Sequence, residues 1–184
     1  MRDIALTGLA RAGKDSVAAR LVEAHGYVRV AFADPLKEAA LKADPLIPHM
    51  AGDRQLTTRL SEVVRIVGWE RAKDDLPEVR RFLQHYGQTV REMDPQFWIR
   101  AAFAEIRRAR ATGHPVVVTD VRYVNEADAL LAAGFAVVRV QRPGLDPGQH
   151  VSEREMLDYP ADTTVVNDGS LEDLADRADS LVRL

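Results

Sequence analysis

DIALTGLARAGKDSVAARLV, residues 3–22, runs from an apolar segment through a glycine-rich turn into a helical pattern. DIALT (3–7) reads as a buried strand, and Val17, Leu21 and Val22 share one helix face. Between them, Gly8 and Gly13 stand five residues apart, and Lys14 follows. A strand, a glycine turn and a helix opening on lysine make a phosphate-binding loop. The backbone of Gly8, Ala10, Arg11, Ala12 and Gly13 wraps the anion, and the helix N-terminus adds partial positive charge. Lys14 then reaches the β and γ phosphates of a nucleotide. The loop is usually written G-x-x-x-x-G-K-[ST]. Here Asp15 fills the hydroxyl's slot, and Ser16 follows one residue late. Asp15 has two readings, tightening a magnesium water shell or capping the first helical turn.

Working outward, four further apolar runs read as strands: 27–32, 115–120, 135–140 and 163–167. The runs at 115–120 and 135–140 are nearly continuous, as in parallel strands covered on both faces. Helical patterns alternate with them, which predicts a doubly wound α/β domain with a parallel sheet. The alternation breaks once. Residues 35–111 read as an almost wholly helical insert, with Leu56, Leu60, Val63, Val64 and Val67 as one stripe and Ile99, Ala102, Phe103 and Ile106 as another. The core is then 1–34 with 112–184. RPGLDPGQHVSERE (142–155) is polar and rich in turn residues, and it predicts a lid over about 142–162.

Composition narrows the function classes. A net charge of −3 favours neither nucleic acid nor an anionic membrane as partner. There is no cysteine, so disulfides and thiolate metal sites are excluded. The five histidines show no ligand spacing. No apolar stretch is long enough for a membrane span and no signal peptide is evident, which gives a cytoplasmic expectation.

TDVR (119–122) sets Asp120 and Arg122 at the end of a buried strand, where open α/β sheets bind ligands. There Asp120 would hold magnesium and Arg122 would clamp a phosphate; the alternative is an aspartate capping the next helix. Asp34 and Lys37, in FADPLK (32–37), repeat the arrangement after the second strand; Asp34, just ahead of a proline that can start a helix, reads equally as a plain N-cap. RRFLQHYGQTVRE (80–92) carries Arg81, Gln84, Gln88 and Arg91, donors suited to a phosphate and a base edge. Trp98 and Trp69 read as core. Arg142, Arg154 and His150 fall in the expected lid, where a cation closing over a transferring phosphoryl group would stabilise its charge. In NDGS (167–170), Asn167 would meet an adenine ring, with Asp168 or Ser170 capping the last helix.

Together GLARAGKDS, FADPLKE, RRFLQHYGQTVRE…DPQFW, TDVRYVNEA, HVSERE and VVNDGS resemble the deoxynucleoside monophosphate kinases of bacteriophages, within the P-loop kinase group. The stretches occur in that family's order and span nearly the whole chain. The resemblance implies a five-stranded parallel sheet of order 2-3-1-4-5, a helical acceptor-binding region and a lid. It implies transfer of the ATP γ-phosphate to a deoxynucleoside monophosphate with magnesium. Lys14, Asp15 and Ser16 belong to the phosphate loop, and Ser16 and Asp120 to the magnesium site, largely through water. Arg91 and Arg122 would grip the acceptor phosphate; Trp98 and Glu126 join the acceptor side through their matching stretches. Gly87-Gln88-Thr89 is one residue longer than the family's G-T. The apolar faces of the insert serve as core or as a homodimer contact.

Two other readings compete. A small-metabolite P-loop kinase, of the phosphomevalonate or dephospho-coenzyme A kind, shares the loop or the architecture. A nucleotide-binding switch would need a guanine-reading N-K-x-D stretch, and strands four and five run instead into QRPG and NDGS.

Overall fold

The computed structural model describes residues 1–146, 151 and 154–184. In chain order its elements are β1 (Ile4–Thr7), α1 (Lys14–His25), β2 (Val28–Val30), α2 (Ala33–Ala43), β3 (Leu46–Ala51), β4 (Arg54–Arg59), α3 (Leu60–Asp75), α4 (Pro77–Met93), α5 (Phe97–Arg110), β5 (Val116–Val121), α6 (Val124–Ala132), β6 (Ala136–Gln141), β7 (Thr163–Val166) and α7 (Leu171–Ser180). The chain divides into two compact units, Met1–Phe32 with Ala101–Leu184, and Ala33–Arg100.

The first unit holds a five-stranded sheet of order β2-β5-β1-β6-β7. Every pairing in it is parallel. Counting only these strands, the order is 2-3-1-4-5, as expected. All four residues of β1 are buried, and β5 is buried at every position but Asp120. Strands covered on both faces carry apolar side chains at successive positions, which is why these runs were continuous. On one side Val17, Ala18 and Leu21 of α1 and Leu174 and Ala178 of α7 pack into a core with Ile4, Leu6, Val117 and Val138. Arg20 of α1 and Asp179 of α7 form a 2.6 Å ion pair beside that core. Gly26 ends α1 in the left-handed conformation, with its N–H on the Leu21 and Val22 carbonyls.

The second unit corrects the expectation of an almost wholly helical insert. β3 and β4 form an antiparallel hairpin in which Leu46 pairs with Arg59 and Ala51 with Arg54. Leu56, expected on a helix with Leu60, lies on β4. The two-residue turn is Gly52-Asp53, with Gly52 at φ 62°. A glycine beside an aspartate between β-compatible residues is a hairpin signal, and here it outweighs the helical spacing. α3 is broken at Gly68, whose φ of 75° lies outside the helical region. Ile47 of the hairpin packs with Ala40, Leu60, Val63, Ala72, Val79 and Leu83 in a core of this unit's own.

The boundaries also move, from 35–111 to 33–100. α5 spans the junction: Phe97–Arg100 belongs to the second unit, while Ala102, Ile106 and Ala109 are buried in the first. Among the described residues no helix is long and apolar enough to cross a membrane.

Candidate functional site

The glycine-rich loop from Gly8 to Gly13, the candidate phosphate loop, lies at the carboxyl end of β1. Gly8, Arg11 and Gly13 adopt positive φ angles of 134°, 64° and 108°. Left-handed residues alternating with ordinary ones turn successive N–H groups to one side, the concavity that binds anions. Gly8 is required for a second reason. A Cβ there would stand 2.1 Å from the Val140 carbonyl oxygen, so β6 is in close approach. Arg11 bears the same conformation with a side chain, at a strain of about 1 kcal/mol. Lys14 Nζ donates to the Gly8 and Leu9 carbonyls at 2.7 Å each, which holds the ammonium inside the curve of its own loop. Asp15 and Ser16 are exposed in the first turn of α1.

β5 contributes the next group. Ala5 of β1 pairs with Val118, but Thr7 pairs with Val121, so β5 carries one extra residue at its end. Such a bulge re-aims a side chain next to a site. Asp120 is the half-buried residue there, and its Oδ1 accepts from Phe32 N–H at 2.8 Å. The N-cap of α6 is Tyr123, so Asp120 does not cap that helix. Thr7 Oγ1 donates to Val121 O at 3.1 Å and ties the two strand ends together.

Arg122 lines a cleft of about 510 Å³ with Thr7, Gly8, Leu9, Arg139 and Arg142. Its backbone N–H donates to Glu126 Oε2 at 2.9 Å, and Tyr123 N–H donates to the same oxygen at 3.2 Å. Glu126 is 1% exposed. The carboxylate is buried at the start of its own helix, where it holds the backbone N–H groups of Arg122 and Tyr123. Arg154 is exposed, in a turn over 154–158. His150 lies outside the described residues.

Arg139 was missed by sequence reasoning. From β6 its guanidinium donates to Leu157 O at 2.5 Å and Met156 O at 3.1 Å, fixing the turn that walls the cleft. Glu155 Oε1 accepts from Val124 N–H at 2.9 Å, and Tyr159 O–H donates to Asp128 Oδ1 at 2.9 Å. Burial, with Asp128 second, pushes the Tyr159 phenol up to about 12. The available signal was an arginine interrupting an otherwise apolar buried strand, AVVRV.

Asn167 follows β7. Its Nδ2 donates to Ala12 O at 2.9 Å, behind the phosphate loop. The last helix is capped by Ser170, which accepts from Asp173 N–H, while Asp168 pairs with Arg177 at 2.8 Å.

The remaining candidates lie in the second unit. Asp34 sits in the first turn of α2 rather than ahead of it, since the helix begins at Ala33. Lys37 lies 5.8 Å from the Trp69 ring centroid and 4.0 Å from a Glu70 oxygen. The hydrogen bond from Lys73, first among its causes, holds Glu70 below the usual carboxylate range. Arg81, Gln84, Gln88 and Arg91 fall on one face of α4 at helical spacing. Arg81 is exposed and paired with Glu78, while Gln88 donates to Glu92 Oε1 at 3.2 Å. Trp98 is core, 4% exposed, and its Nε1–H donates to Gly87 O at 3.1 Å.

The family model for deoxynucleotide monophosphate kinase matches residues 49–178, a span that begins beyond the phosphate loop. An uncharacterized protein of Ictalurid herpesvirus 1 is 30% identical over 83% of this chain and 66% of its own. A putative deoxynucleotide monophosphate kinase of Acanthamoeba polyphaga mimivirus is 27% identical over 92% of this chain and 90% of its own. The deoxynucleotide monophosphate kinase of Enterobacteria phage T4 is 31% identical over 55% of this chain and 44% of its own. The chain spans from 44% to 66% of the length of four of the five curated relatives it matches. Among solved structures, TT1252 from Thermus thermophilus is 21% identical, with a TM-score of 0.51 over 100% of this chain and 97% of its own, a likeness of fold.

Proposed function

This chain belongs to the deoxynucleotide monophosphate kinase family, and on that premise we propose that it transfers the γ-phosphate of ATP to a deoxynucleoside monophosphate. The observation that carries the proposal is the phosphate loop at the carboxyl edge of the sheet, with Lys14 Nζ inside its curve. In this reading, phosphate oxygens replace the Gly8 and Leu9 carbonyls as partners of the lysine. The loop N–H groups and the N-terminus of α1 hold the β phosphate. An oxygen of the acceptor phosphate attacks the γ phosphorus in line, the bond to the bridging β–γ oxygen breaks, and ADP leaves with that oxygen. No covalent enzyme intermediate is needed, so the protein's work is positioning and charge stabilisation. Arg122 clamps the acceptor phosphate, with Arg142 and Arg154 as further cations. Arg91 is the second candidate for the acceptor phosphate, and Arg81, Gln84 and Gln88 are the candidates for holding the rest of the acceptor.

Magnesium fits the residues present. The Ser16 hydroxyl and the Asp120 carboxylate are hard oxygen donors, which suit an ion that keeps several waters. Among the described residues no cluster of three His, Asp or Glu forms a protein cage, so the ion would lean on phosphate oxygens. When bound, it would offset negative charge on the β and γ phosphates.

The test is chromatographic identification of products from ATP and magnesium with each deoxynucleoside monophosphate, each ribonucleotide, phosphomevalonate and dephospho-coenzyme A. A deoxynucleoside diphosphate is the expected product. Turnover on a metabolite arm alone would keep the donor site and discard the acceptor.

A further inference from the structure

A phosphate loop presents N–H groups to its ligand, so its carbonyls need partners of their own. From Gly8 to Gly13 four carbonyls have identified holders, Gly13 O accepting from Val17 N–H at 3.0 Å as the first bond of α1. Lys14 takes those of Gly8 and Leu9. The fourth, Ala12 O, is held from outside the loop by Asn167 Nδ2 at 2.9 Å. Asn167 comes from the far end of the sheet unit in sequence, just after β7, and its own N–H is fixed on Gln141 O at 2.7 Å. The amide also occupies the space beside Gly13: a Cβ on Gly13 would lie 2.6 Å from Nδ2. Gly13 is the N-cap of α1, at φ 108°. The peptide between Ala12 and Gly13 is therefore clamped with its oxygen toward Asn167, and its N–H is the one next to the lysine that opens the helix.

We propose that Asn167 is a positioning residue for the phosphate loop: its amide donor turns the Ala12 carbonyl outward and so aims the Gly13 N–H at the bound phosphate. The proposal rests on the reading of the loop as the ATP site. It gives Asn167 a role in phosphate binding, independent of any base. An adenine contact, which its place after the last strand first suggested, makes a different prediction.

The discriminating pair is Asn167→Asp and Asn167→Ala. Aspartate is close in shape but sets a carboxylate oxygen against the Ala12 carbonyl; alanine removes the holder and opens space over Gly13. Binding of magnesium-ATP and of magnesium-tripolyphosphate, which has no base or sugar, is measured by calorimetry on the full chain. Circular dichroism and thermal unfolding identify any variant that has lost its fold, in which case the other carries the test. A loop-positioning role weakens both ligands together, by roughly tenfold for the alanine variant and more for the aspartate. Asn167→Gln, which keeps a donor on a longer stem, recovers part of the loss. Loss for ATP with tripolyphosphate unchanged would make Asn167 a base contact and overturn the proposal, as would unchanged binding of both. If the wild-type chain binds neither ligand, the ATP site itself is wrong and the proposal falls with it. Acceptor turnover plays no part, so a mistaken acceptor leaves the result interpretable.

Discussion

The ammonium of Lys14 stands 2.7 Å from the carbonyl oxygen of Gly8, the first residue of the loop that Lys14 closes. The contact joins the two ends of the turn, so the lysine is both a loop staple and the donor nearest the phosphates in the proposed reaction.

Lys14→Ala should therefore lower kcat by about 10³-fold, the scale of losing a preorganised donor to developing charge. Its effect on stability should stay near 1 kcal/mol, because the released carbonyls are half-buried and open to water. Steady-state kinetics beside thermal unfolding checks both. Unfolding of the variant would make the lysine mainly structural.

Glycine substitutions should separate close approach from conformation. Gly8→Ala meets Val140 O at 2.1 Å as well as a φ of 134°, and should cost more than about 3 kcal/mol. Gly52→Ala, at φ 62° with nothing within 4 Å, should cost about 1 kcal/mol. Urea denaturation of the two variants gives the comparison.

Glu126 is buried and accepts from two backbone N–H groups at the start of α6. Glu126→Ala should destabilise the chain by about 2–3 kcal/mol. Glu126→Gln, which keeps an acceptor oxygen, should cost about 1 kcal/mol. A loss of acceptor affinity in the glutamine variant at unchanged stability would instead put Glu126 in contact with substrate.

The Arg20 hydrogen bond, followed by that of His25, holds the Asp179 carboxyl well below the usual carboxylate range. A depressed folded-state value means stability that is present above the unfolded value of about 3.9 and lost as pH falls toward the folded value. Melting temperatures of the wild type and Asp179→Asn should differ at pH 6 and converge as pH drops below about 4. A constant difference down to pH 2 would show that the charge on Asp179 contributes nothing.

The sheet was legible because strands covered on both faces are apolar at successive positions, and the loop because glycine and lysine spacing is local chemistry. The β3–β4 hairpin was not, since Leu56, Leu60 and Val63 satisfy helical spacing while Gly52-Asp53 turns the chain. Boundaries at Ala33 and Arg100 were hidden inside or beside continuous helical patterns. The positions of Asp120 and Arg122 at a strand end were legible from the continuous apolar run before them. The roles of Asn167 and Arg139 depend on carbonyls of residues distant in sequence, and no spacing rule reports a bond between Asn167 and Ala12.

The most direct test of the central claim follows the phosphoryl group itself. The chain is incubated with magnesium and ATP labelled at the γ position, with each of the four common deoxynucleoside monophosphates in turn, and the label is traced. Label in the β position of a deoxynucleoside diphosphate, absent with Lys14→Ala, is the predicted result. Label remaining in ATP, or released as inorganic phosphate whatever the acceptor, would contradict it.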